Sequence, residues 1–300
     1  MVSVNRKPRL EQVDPPQSPR DTLPTMYDLP SENPEEPGLP DEFHVLQPQF
    51  LTRTLQLSAY PNDCYFTAAD LNLYYDVNHP LWYKRPDWFL AVDVPRLYEG
   101  TDLRRSYVVW QEGKSPYVTI EFLSPGTENE DLGRFGEAVD RIGEAVAKTA
   151  ATDENQPNGG PQITGSPPAK LEVYERYLRI PHYLVYDRYA KQLRYFKLEG
   201  GRYQEQSLNS TNPRVWLADL EVGLGLWQGT FEAVPGDWLR WCDRKGNWLL
   251  TDTEQIQAQL LQAARNLMAT GLDLEQASQL LNLSADQISA LQTAISDSQA

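Results

Sequence analysis

The chain is poor in the residues that build metal cages and disulfides, with two cysteines and three histidines in 300 residues. Cys64 and Cys242 make neither a disulfide framework nor a ligand spacing. His44, His79 and His182 stand too far apart in sequence to suggest a zinc site. A reducing, cytoplasmic setting is the expectation. Long apolar runs are missing too: no stretch of about 18 apolar residues occurs, so no membrane span is expected. The opening MVSVNRKPRLEQVDPP lacks the apolar core of a secretory signal. Basic residues are scarce, with 27 Lys and Arg against 42 Asp and Glu and a net charge of −15. That balance argues against a broad, sequence-independent grip on nucleic acid and leaves room only for a local basic groove.

What is present supports a sizeable core. Hydrophobic residues make up 40% of the chain, while a mean hydropathy of −0.56 implies that part of the length is solvated tail. Residues 1–40 carry nine of the 23 prolines among acidic residues and read as an extended or disordered arm. Asp41 then precedes an apolar-periodic stretch to Leu51, which predicts a capped first helix. Short runs rich in Val, Tyr, Phe, Trp and Ile predict strands at 65–67, 72–76, 87–93, 106–110, 116–123, 182–187 and 192–198. Residues 105–123 read as a hairpin closed by Glu112-Gly113-Lys114-Ser115, residues 187–195 as a second hairpin, and Gly200-Gly201 as a further turn. A helix is expected within 130–148 and a flexible insertion at about 150–168, with TDENQPNGGPQITGSPP at its heart. An amphipathic helix is expected over 170–178, with Leu171, Tyr174, Tyr177 and Leu178 on one face. Residues 203–250 hold five of the eight tryptophans and read as an extension of the sheet. The region 251–300 reads as a helical tail broken at Gly271, able to pack on the 41–250 domain or to pair with a second copy in a homodimer. Strand, helix, strand from 117 to 187 makes a crossover, and the flanking hairpins imply an α/β fold with a mixed sheet.

Two carboxylates interrupt this pattern. Asp87 follows Pro86 at the start of one apolar run, and Glu121 lies near the end of another, Tyr117 to Leu123. A carboxylate within a buried strand is costly unless paired, hydrogen-bonded or bound to a cation. Two acids at a sheet edge can hold Mg²⁺ through oxygen ligands, with water positions left open. Such an ion acidifies water and offsets charge on a phosphate, so the pair points toward phosphodiester hydrolysis. Simpler readings stand beside this one. Asp87 can cap a turn after Pro86, Glu121 can face solvent on an alternating strand, and Lys170 can be a surface lysine at a helix start. His182 and Asp187 read as structural. Lys84, Arg85, Arg104 and Arg105 read as a phosphate groove or as a solvated face. Gly271 to Leu291 has a helix-turn-helix pattern, but its lack of basic residues favours helix packing over DNA reading.

At these residues the chain resembles the PD-(D/E)xK nuclease superfamily and, more narrowly, the Uma-two family of bacterial restriction-type endonucleases. Four segments carry the likeness in order: Arg85-Pro86-Asp87, Glu121-Phe122-Leu123-Ser124-Pro125-Gly126-Thr127, Lys170-Leu171-Glu172-Val173-Tyr174, and Ile180-Pro181-His182-Tyr183-Leu184-Val185-Tyr186-Asp187. The likeness spans roughly residues 25–250 and implies a restriction-endonuclease-like mixed sheet flanked by helices. It also implies Mg²⁺ or Mn²⁺ as cofactor and DNA as substrate. Asp87 and Glu121 match the two acids. Position 123, where a strict ExK has its lysine, holds Leu123; the family often shifts that lysine to the following helix, and Lys170 fits the role. The family's first-helix acid matches Glu42, with Asp41 as the alternative. The resulting expectation is a Mg²⁺-dependent endodeoxyribonuclease with Asp87, Glu121 and Glu42 as metal ligands and Lys170 assisting the attacking water. The alternatives are a non-catalytic interaction module on a nuclease-derived fold and an accessory protein of mobile elements.

Overall fold

Asp41 caps the first helix, α1 (Glu42–Thr54), accepting from the His44 N–H at 3.2 Å. The computed structural model describes residues 41–124, 126–136, 167–285, 287–289 and 291–292. The arm at 1–40, most of the expected helix at 130–148 and nearly all of the insertion lie outside the described residues. After α1 come β1 (Tyr65–Ala68), β2 (Leu73–Tyr74), β3 (Tyr83–Lys84), β4 (Trp88–Val92) and β5 (Tyr107–Val108). The short helix α2 (Val109–Glu112) leads to β6 (Val118–Phe122) and the short helix α3 (Glu128–Asp131). One turn of helix, α4 (Lys170–Glu172), runs into a π-helical turn, Val173–Tyr177, before β7 (His182–Asp187). Next are β8 (Gln192–Glu199), β9 (Arg202–Gln206), β10 (Arg214–Leu217), β11 (Val222–Phe231) and β12 (Val234–Cys242). Helices α5 (Asp252–Ala269) and α6 (Leu274–Leu281) follow. Among the described residues no helix is long and apolar enough to cross a membrane.

The main sheet has the order β1-β4-β6-β7-β8-β9 and is antiparallel except for the parallel pair β6–β7. That pair is the expected crossover. Both faces of its centre are covered, which explains why β4, β6 and β7 read as near-continuous apolar runs. On one face Trp88, Leu90, Ile120, Phe122 and Tyr186 pack against α1 and the β10-β11-β12 sheet. On the other, Phe89, Ala91, Tyr183 and Val185 pack against Tyr174, Leu171 and the small β3-β2-β5 sheet. Helix α1 is pinned by polar side chains as well as by its apolar face. The Gln47 amide donates to Leu239 O at 2.9 Å and accepts from Leu239 N at 2.8 Å. The Trp88 indole donates to Thr52 Oγ1 at 3.0 Å and the Trp241 indole to Leu51 O at 2.9 Å.

Three expectations are corrected. Residues 105–123 do not form a hairpin: β5 pairs parallel with β2 instead of with β6. Tyr107 is buried against Phe66 and Phe89, and the chain then winds into α2, which Gly113 ends at φ 70°. Residues 170–178 are not one amphipathic α-helix, because after α4 the Leu178 N–H bonds back to Val173 O at 3.0 Å, a π-type closure. Residues 203–250 only begin as an extension of the sheet. Strand β9 joins it, but β10, β11 and β12 form a second antiparallel sheet stacked on its face. The hairpins at 187–195 and around Gly200-Gly201 form as expected.

Candidate active site

Alternation along β4 and β6 decides which way the two acids point. Trp88 and Ile120 face the α1 side, so Asp87 and Glu121 face the other, toward α4. With that face covered, Glu121 is fully buried, and the solvent-facing reading of this residue does not hold. The two acids are locked reciprocally across the strands. The Asp87 N–H donates to Glu121 Oε2 at 3.2 Å, and the Phe122 N–H donates to Asp87 Oδ2 at 2.6 Å.

Helix α4 and the π-turn that follows it each bring a further side chain onto Glu121. Lys170 Nζ donates to Glu121 Oε2 at 2.9 Å, and the Tyr174 hydroxyl donates to Oε1 at 2.6 Å. The same ammonium lies 3.2 Å from Asp131 Oδ1. Asp131 Oδ1 is a buried oxygen whose partner among the described residues is this ion pair. Glu130, the neighbour of Asp131, accepts from the Lys170 N–H at 3.2 Å and pairs with Lys84. From α1, the His44 ring meets Asp41 through Nδ1 at 2.9 Å and Ser124 Oγ through Nε2 at 3.5 Å. Asp41 in turn pairs with Arg188.

Charge follows from burial. Desolvation pushes the Glu121 carboxyl well above the usual range, against the pull of Lys170. Desolvation also raises Asp87, although Lys170, His44 and the Phe122 N–H favour its ionised form. Burial works against the Lys170 charge, yet the surrounding Asp131, Glu121 and Asp87 overcome it and hold the ammonium proton well above the usual lysine range. Lys170 is therefore a charged donor, and three acidic side chains surround the one cation.

These groups open onto a cleft of about 980 Å³ at the end of the sheet. One wall is α1, with His44, Val45 and Arg53; another comes from Tyr83, Lys84 and Arg85. Asp87, Asp131 and Lys170 line it, while Glu42 stands exposed on the first turn of α1 and does not. The sequence-predicted Asp87, Glu121 and Lys170 thus come together, and Glu42 does not join them. Arg104 is engaged elsewhere, with Glu112. Nothing in the sequence singles out Asp131, His44 or Ser124. Asp131 sits in an acidic, non-periodic stretch, and His44 occupies a helix position that reads as ordinary.

A mixed sheet with acids on adjacent central strands and a lysine delivered by the crossover defines the restriction-endonuclease-like class of α/β folds. Residues 16–231 match the model of the Uma2 family, described as putative restriction endonuclease. The match covers well over half of the chain, which belongs to that family and with it to the PD-(D/E)xK nuclease superfamily. No curated protein matches the chain.

Proposed function

We propose that the protein is a divalent-metal-dependent endonuclease that hydrolyses DNA phosphodiester bonds. The observation that carries this reading is the convergence of Asp87, Glu121 and Lys170, with Asp87 and Lys170 lining one cleft and Glu121 buried directly behind them. Family membership supports it, since restriction-endonuclease-like families act on DNA and generally use divalent metals. Local charge supports it as well. In a chain of net charge −15, the cleft wall carries Arg53, Lys84, Arg85 and Lys170 against Asp70, Asp87 and Asp131.

The donor set suits Mg²⁺ or Mn²⁺. It is all oxygen, and it gathers the acidic side chains of Asp87, Glu121 and Asp131 around a single ammonium. Among the described residues no ready cage of three or more His, Cys, Asp or Glu side chains exists. Mg²⁺ does not need one, because it keeps several waters and uses one or two carboxylates. Asp87 and Glu121 would hold the ion; Glu42, outside the cleft, is not part of the set. When bound, the ion would polarise the phosphate and acidify a nearby water. Lys170, holding its proton, acts as a donor rather than a base: its N–H groups orient the attacking water and offset charge on the phosphate oxygens. Tyr174 fixes the Glu121 carboxylate so that its second oxygen stays toward Lys170 and Asp87.

Plasmid nicking in Mg²⁺ or Mn²⁺ tests the reading. Asp87→Ala, Glu121→Ala and Lys170→Ala should each lose at least about 100-fold in rate, the scale of losing electrostatic stabilisation of a transition state. Nicking by all three at the wild-type rate would overturn it. One observation favours a second reading, a non-catalytic module: the Lys170 ammonium already serves Glu121 and Asp131 as an internal cation. Mg²⁺ calorimetry separates the two, since that module binds no ion near neutral pH.

A further inference from the structure

The cations of the cleft are few, and each is already paired. Arg53 meets Glu232, Lys84 meets Glu130, Arg85 meets Asp70, and Lys170 meets Glu121. Gripping a duplex by its phosphates needs many uncommitted Lys and Arg side chains, which this wall does not offer. Binding free energy in the cleft must then come from another source.

Tyr83 supplies one. It lies on β3, an edge strand of the small sheet, lines the cleft, and is 44% exposed despite its size. Its ring is backed by Tyr74, its register partner on β2, with centroids 5.5 Å apart at 53°. The phenol is thus held by a tilted aromatic contact while the side chain remains open to the cleft. Lys84 and Arg85 follow directly and line the same cleft, each in an ion pair that a phosphate can compete for. Four chain steps lead from Tyr83 to Asp87, a span of at most about 14 Å. That is roughly four bases at the 3.4 Å stacking rise of one strand. Val45 on α1, 56% exposed, adds apolar surface to the cleft from the other face of the main sheet.

We infer that Tyr83 is a stacking platform for an unpaired nucleobase, and that the cleft takes a single-stranded or locally unpaired segment of nucleic acid in preference to intact duplex. An aromatic beside cations is the usual chemistry of single-strand binding, tolerant of sequence because every base has a π-face. The inference deepens the nuclease reading and rests on it for the identity of the cleft as a nucleic-acid site.

Fluorescence anisotropy in EDTA, where no cleavage occurs, tests it with labelled single-stranded DNA, single-stranded RNA and duplex DNA of equal length. The wild type should bind a single strand at least about tenfold more tightly than duplex. Tyr83→Ala should weaken single-strand binding by about 5- to 100-fold, and Tyr83→Phe, which keeps the ring, should stay within about twofold of wild type. A loss in either single-strand arm supports the platform, and the tighter arm identifies the sugar. Equal binding by Tyr83→Ala and wild type, with unchanged thermal unfolding, would overturn it, as would duplex binding as tight as single strand. The two readings fail separately. Absent nicking with intact, Tyr83-dependent binding sinks the nuclease alone, while normal nicking with no Tyr83 effect sinks the platform alone.

Discussion

Lys170 keeps its charge at the half-buried edge of the cleft, and three acids share it. Removing that charge leaves Glu121 and Asp131 buried without a cation. Lys170→Met should therefore lower unfolding free energy by roughly 3–5 kcal/mol in EDTA, measured by urea titration. Mg²⁺ should return part of the loss, because an ion that binds only the folded state stabilises it by mass action. A variant as stable as wild type would show that the acids are neutral and need no partner. At this scale the sequence was informative where burial and charge conflict within one short run, as at Glu121. It was silent on Asp131, whose neighbours are equally acidic and whose burial depends on Lys170 and the Tyr183 hydroxyl, which donates to its carbonyl.

The π-turn shows how an element is set by contacts that no local pattern records. The 3/4 spacing over 170–178 fits an α-helix, and Lys170 and Tyr174, one turn apart, both reach Glu121, but the chain widens over Val173–Tyr177 before β7. Glu175 fixes the wide turn to β9. It accepts from Arg134 at 2.5 and 3.0 Å and from the Tyr203 N–H at 2.6 Å. Burial opposes the Glu175 charge, yet Arg134 and Tyr203 more than compensate and hold it below the usual range. Since the folded state gives up this proton more readily, its stabilisation is present above the unfolded value near 4.3 and is lost as pH falls through the lower folded value. Urea midpoints measured from neutral pH down to about pH 3 should fall less steeply in Glu175→Gln than in wild type. Parallel profiles would remove Glu175 from that role. The failed hairpin at 105–123 has the same origin as the π-turn. The turn signal at Gly113 is real, but it ends α2, and burial of Tyr107 sends β5 to β2.

Across the whole molecule the charge balance decides how nucleic acid can be held. A net charge of −15 with four cations in the cleft predicts a weak dependence of affinity on salt. Log affinity for a single strand should fall against log salt with a slope no steeper than about −3, from about 0.7 per neutralised phosphate. A slope near −8 would place the binding surface elsewhere. The order of strands, helix and strand was legible because the central strands are covered on both faces and so read as apolar runs. The split into two stacked sheets was not, because strand composition does not say which strands pair, and only packing against α1 and the main sheet sets β10 to β12 apart.

The parallel pairing of β6 with β7 also governs when the chemistry can first exist. Asp87 meets Glu121 across 34 residues, and Glu121 meets Lys170 across 49. Synthesis runs from the N-terminus, so a chain still on the ribosome holds both acids long before their lysine, and β6 gains its parallel neighbour only once His182 to Asp187 has emerged. The Asp87–Glu121–Lys170 cluster is thus a late product of folding. A nascent or prematurely ended chain carries the acids but cannot assemble the site.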